Sequence, residues 1–175
     1  MAAMTGADPW LISKIVSGGQ TGVDRAALDW ALQRGVAHAG WCPKGRLAAD
    51  GPLPERYLLR ETDSAGYRQR TKWNVRDSDA TLIFNTGVLE GGTLQTVRFA
   101  EILEKPHLVV QLDGLDQQRV VQRIRAWLME RPLSVLNVAG PREEKRPGIC
   151  ACVAARLDAC FERSAAAEGG TNPVY

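Results

Sequence analysis

The sequence predicts an α/β protein: a three-layer α/β/α sandwich around a five-stranded parallel sheet, in the order 2-1-3-4-5 when strands are counted along the chain. Two observations carry the prediction. Short apolar runs alternate with longer segments of helical period, the pattern of parallel strands joined by crossover helices. Glycine-rich turns stand where an apolar run gives way to a helical segment, as a strand-to-helix junction requires. A length of 175 residues, with 45% hydrophobic and 24% charged side chains, suits one domain with one core. We assign that domain to residues 1–163 and read residues 164–175, SAAAEGGTNPVY, as a flexible tail.

The first strand is expected over residues 12–17, ending at Gly18-Gly19. A helix over 23–34 follows, with Val23, Ala26, Ala27, Trp30 and Ala31 on one face and Gly35 as its stop. The second strand spans 36–41. The irregular stretch after it, PKGRLAADGPLP, is long for a compact domain, a common trait of functional loops. A helix over 64–77 places Tyr67, Arg70 and Asn74 on one unusually polar face, with Lys72 on another side. The third strand is 80–84, and its exit, NTGVLEGG, leads to a helix over 93–104 with Leu94 and Val97 inward. The fourth strand, 107–112, precedes a helix over 117–130 that turns Val120, Ile124, Trp127 and Leu128 inward. The fifth strand, 134–139, precedes a last helix over 148–161 that buries Ile149, Val153, Leu157 and Cys160.

Composition excludes several classes. No apolar run approaches the roughly 20 residues of a spanning helix, and MAAMTGADPW lacks the basic start and apolar stretch of a secretion signal. A cytoplasmic protein without membrane attachment is expected, with Cys42, Cys150, Cys152 and Cys160 as reduced thiols. Their spacing is not that of a zinc site. His38 and His107 lie in or beside strand-like runs, so neither a metal centre nor a histidine-based triad is expected. A net charge of +2 is too small to argue for nucleic acid, and none is expected as a partner, yet residues 44–76 hold eight basic side chains against four acidic ones. That local excess reads either as a site for a discrete anionic ligand or as a solvated surface.

Two glycine turns are candidate anion cradles. In Gly18-Gly19-Gln20-Thr21-Gly22-Val23-Asp24 the glycines let a ligand approach the main chain, and the helix start offers unpaired N–H groups. The pattern is neither the dinucleotide fingerprint nor the Walker sequence. The second turn combines Asn85, Gly91, Gly92, Thr93 and Thr96. In the order 2-1-3-4-5 the first and third strands are neighbours, so both turns would line one crevice at the carboxyl edge of the sheet. Asp24 reads equally as a helix cap or as a base. Lys44, Arg46 and Arg70 are candidate charges for an anion. No catalytic residue is assigned.

The runs SGGQTGVDRAALDWA, GWCPKGRLAADGPLPERYLLRET, YRQRTKWNVRDSDATLIF and GGTLQT resemble the molybdenum cofactor carrier protein family, a circularly permuted YpsA-like branch of the SLOG superfamily related to the LOG proteins. The resemblance covers about residues 12–160. It implies a Rossmann-like domain that binds a nucleotide-like or pterin-phosphate ligand, with the molybdenum cofactor (molybdopterin) as cargo. Molybdoenzymes would be its recipients, and a homo-oligomer, dimer or tetramer, its assembly. Gly18, Gly19, Thr21 and Gly22 match the first binding loop, and Gly91, Gly92 and Thr93 the second. The LOG enzymes, which hydrolyse nucleoside monophosphates, carry a catalytic Glu where this chain has Thr96. A carrier is therefore the expected function; a LOG-type phosphoribohydrolase and a nucleotide-sensing module are the alternatives.

Overall fold

A computed structural model describes residues 12–162; the tail assigned to 164–175 lies outside them. The elements follow one another as β1 (Lys14–Val16), α1 (Val23–Arg34), β2 (Ala37–Ala39), β3 (Trp41–Cys42), β4 (Leu47–Ala48), β5 (Gly51–Pro52), β6 (Arg60–Glu61), α2 (Tyr67–Arg76), β7 (Ala80–Asn85), α3 (Gly91–Ile102), β8 (His107–Gln111), α4 (Gln117–Met129), β9 (Val135–Ala139) and α5 (Ile149–Phe161). The Rossmann-like fold class stands. Five parallel strands form the central sheet, with α1, α4 and α5 packed on one face and α2 and α3 on the other.

The strand order requires a correction. The sheet runs β2-β1-β9-β7-β8, so the last strand of the chain inserts between the first and the third of the five. Lys14 is paired with Val135 on one side of β9, and Ala80 with Leu136 on the other. The reason is burial. Leu136, Asn137 and Val138 in β9, like every residue of β7, are buried, whereas the edge strands β2 and β8 keep half-exposed positions such as His38, His107 and Gln111. A central position suits an apolar strand covered on both faces.

The predicted inward faces hold except at Leu94, which is only half-buried and joins no core cluster, Phe99 and Ala100 taking the buried face of α3 instead. Val23, Ala26, Ala27, Trp30 and Ala31 join Ile124, Trp127, Val153 and Leu157 in one core against Ile15, Leu82, Phe84 and Leu136. On the other face Val75 of α2 meets Phe99 and Ala100 of α3. Trp73 rests edge-on against Trp41, with ring centroids 4.6 Å apart. The stretch from 41 to 62 carries the small pairs β3–β6 and β4–β5 and packs Cys42, Leu53, Tyr57 and Leu59 against Leu28 of α1 in a second core. All four cysteines are free thiols, and burial pushes the Cys160 thiol up to about 12. No helix among the described residues is long and apolar enough to cross a membrane.

Candidate functional site

Because the strands are parallel, β1, β9 and β7 end on the same edge of the sheet, and their exit loops wall a single cleft of about 320 Å³. Gly18, Gln20 and Asp24 line one side. Asn85, Gly91, Gly92, Thr93 and Thr96 line the other, and Asn137, Gly140, Pro141 and Arg142 lie between. The helices after β9 and β7 leave to opposite faces, so the cleft sits at the point where the winding reverses, the usual ligand position in open α/β sheets. The shared crevice thus survives the change of strand order, because the inserted β9 adds its own loop between the two glycine turns.

The first turn is not an open anion cradle. The Asp24 carboxylate accepts the Gln20 N–H at 3.3 Å, the Gln20 side-chain carbonyl accepts the Thr21 N–H at 3.0 Å, and the Pro141 carbonyl accepts the Val23 N–H at 3.2 Å. The protein's own acceptors fill the place the sequence suggested for a ligand. Gly19 is covered by Leu53 and Leu59, and Gly22, at φ +81, allows the close approach of Pro141, whose oxygen a Cβ there would meet at 2.4 Å. Thr21 donates its hydroxyl to Glu144 at 2.6 Å.

What reaches the cleft from this side is a buried ion pair. Arg70, on the inward polar face of α2, donates to Asp24 at 2.9 Å, with side-chain exposures of 11% and 7%. Gly18 makes room for it, since a Cβ there would stand 1.5 Å from an Arg70 nitrogen. Burial raises the Asp24 pKa, and the Arg70 charge opposes the rise. The Arg70 Nε is buried without a hydrogen-bond partner among the described residues. Asn74, on the same face, clamps the Trp41 main chain at both its N–H (2.7 Å) and its carbonyl (3.0 Å).

The second turn is open. α3 begins at Gly91 with no side-chain cap, and among the described residues nothing accepts from the N–H groups of Gly91, Gly92 and Thr93. Such a helix start attracts an anion. The Thr96 hydroxyl turns back to the Gly92 carbonyl at 3.0 Å. The Asn85 amide is engaged with the Gly87 carbonyl at 3.0 Å and Gln111 at 3.1 Å.

Two predicted cations are absent from the cleft. Arg46 spends its guanidinium on the carbonyls of Leu53, Pro54, Tyr57 and Leu59, at 2.9–3.4 Å, and so braces the 43–62 stretch. Lys44 is exposed and does not line the cleft. Most of the basic excess is likewise consumed locally: Arg56 lies over Tyr57, Arg60 over Trp41, Arg68 over Phe99, and Arg76 pairs with Asp77.

Besides Arg70, the cations that line the cleft come from the β9–α5 loop: Arg142, Lys145 and Arg146. In PREEKRP the two glutamates cancel charge in the sequence but not in space. Glu143 accepts the Gly148 and Cys150 N–H groups at the start of α5, and Glu144 takes Thr21. Arg146 donates to the Thr86 carbonyl at 3.0 Å and lies 3.6 Å from Glu90. Lys145 and Arg142 make no hydrogen bond or ion pair through their charged ends among the described residues. Lys145 extends beside Gly91, its Nζ 3.8 Å from where a Cβ of that glycine would lie. The only signal in the sequence was position, a charged loop leaving a strand at the carboxyl edge. Among the described residues no cluster of His, Cys, Asp and Glu is placed to hold a metal ion.

Fold and cleft together define a Rossmann-like α/β protein with a basic ligand-sized crevice at the carboxyl edge of its sheet. The family model described as the circularly permutated YpsA SLOG family matches residues 15–161, and the chain belongs to that family. It is similar to a crystal structure named "Putative molybdenum carrier protein" from Syntrophus aciditrophicus SB, with 44% sequence identity and a TM-score of 0.84, over 86% of this chain and 96% of that one. Among curated proteins no match is found.

Proposed function

We propose that this chain is a binding and carrier protein for an anionic, phosphate-bearing small molecule, with the molybdenum cofactor, molybdopterin, as its cargo and molybdoenzymes as recipients. The observation that carries the reading is the uncapped start of α3, beside which Lys145 extends its ammonium, with the Arg142 guanidinium, held over the Tyr67 ring, in the same cleft lining. A phosphate monoester there would accept main-chain and charge-assisted hydrogen bonds together. A cleft of about 320 Å³ is at the small end of ligand sites and suits one small molecule rather than a polymer. The name of the similar Syntrophus protein supports molybdenum cargo.

The alternative, a LOG-type phosphoribohydrolase, wants a carboxylate at position 96. Thr96 uses its hydroxyl on its own helix, and Asp24 is bound to Arg70. Calorimetric titration with neopterin phosphate and inorganic phosphate tests the carrier reading: both should bind, and Lys145→Gln combined with Arg142→Gln should weaken both. Release of adenine from AMP at enzymatic rates would replace the carrier with the hydrolase.

A further inference from the structure

Seven large apolar or aromatic side chains are exposed among the described residues, and of these only Tyr67 and Val88 line the cleft. Among the described residues Tyr67 is also the only aromatic ring in the lining. It is the first residue of α2, 38% exposed, while Val88, in the loop after β7, is 74% exposed. Neither side chain joins a core cluster. The guanidinium carbons of Arg70 and Arg142 each lie 5.5 Å from the Tyr67 ring centroid, and Arg70 is itself fixed by Asp24. The ring is therefore held in place by cation–π contacts while part of it stays open. A rigid aromatic surface beside an anion site costs little further entropy on binding.

We propose that Tyr67, with Val88, is a docking surface for a planar heterocycle, so that the cleft selects phosphates that carry a ring over ring-free oxyanions. The inference rests on the proposed function and deepens it: phosphate at the start of α3, ring against Tyr67. Inorganic phosphate, or molybdate alone, would use only the first half of the site. Phosphates bearing a pterin or purine would use both.

The test compares four probes by calorimetric titration: neopterin phosphate and AMP, which carry rings, and ribose 5-phosphate and inorganic phosphate, which do not. Tyr67→Ala should weaken the two ring-bearing probes by about tenfold or more, the scale of one lost base–aromatic stack. It should leave the two ring-free probes nearly unchanged, and Tyr67→Phe should keep wild-type affinity for all four. An equal loss across the four probes would make Tyr67 a support for Arg70 and Arg142 and overturn the proposal, as would no loss for any. Wild-type protein that binds none of the four would overturn the anion-carrier reading itself, a distinct outcome. Melting curves of both variants confirm that each remains folded during titration.

Discussion

Gly18→Ala replaces one hydrogen by one methyl, yet the structure predicts a large effect. The backbone at Gly18 is not in the left-handed region, so strain in φ is not the cause. The new Cβ would stand 1.5 Å from an Arg70 nitrogen, 2.7 Å from its guanidinium carbon and 2.9 Å from an Asp24 oxygen. Arg70 must withdraw, and Asp24 is left as a buried carboxylate without its counterion. Breaking one partner from a buried pair costs about 3–5 kcal/mol, which for a domain of this size lowers Tm by about 6–20 °C. The loss depends on pH in a determined sense. Burial already raises the Asp24 pKa above its unfolded value, and removing Arg70 raises it further. A raised acid contributes its stability at low pH and loses it as pH climbs through the folded pKa. The gap between wild type and Gly18→Ala should thus be widest at neutral pH and narrow in acid. In an Arg70→Ala background the alanine at 18 should cost little more, because the guanidinium it displaces is gone. Thermal denaturation of the four proteins across pH checks the cycle. Additive losses, or a gap independent of pH, would refute the steric and electrostatic reasoning.

Other outcomes follow from the same geometry. Arg70→Gln should weaken neopterin phosphate binding by about tenfold to a hundredfold, the scale of a charge-assisted hydrogen bond, while Lys72→Gln, on the exposed side of α2, should be silent; parallel titrations well below Tm separate them. Lys145→Gln should weaken inorganic phosphate binding by about threefold, an effect that fades near 1 M salt, where screening acts within about 3 Å. Arg46→Ala should lower Tm by about 3–12 °C, from the loss of charge-assisted bonds to four carbonyls, without altering phosphate affinity, as scanning calorimetry and titration will read.

The alternation of apolar runs and helical segments made every central strand and helix legible, because period and turn glycines are local properties. The place of β9 was not. Right-handed crossovers allow the last strand to lie at an edge or inside the sheet, and only burial against both neighbours decides it. The 44–76 basic excess pointed to the cleft through Arg70 alone, since Arg46 is spent on carbonyls of its own stretch and Arg68 on the Phe99 ring of α3. Conversely, Arg142, Lys145 and Arg146 were hidden because Glu143 and Glu144 cut the run's net charge to +1 in the sequence while pointing to other partners in the fold. Glycine at 18, 19 and 22 marked a close approach correctly, but the groups that approach are Arg70, Leu53 and Pro141.

Native mass spectrometry of the protein purified from its own organism tests the carrier reading most directly. One molybdopterin-sized, phosphate-bearing adduct per chain is expected, lost when Lys145 and Arg142 are both replaced by glutamine. An unliganded mass, or an adduct that persists in that double variant, would contradict it.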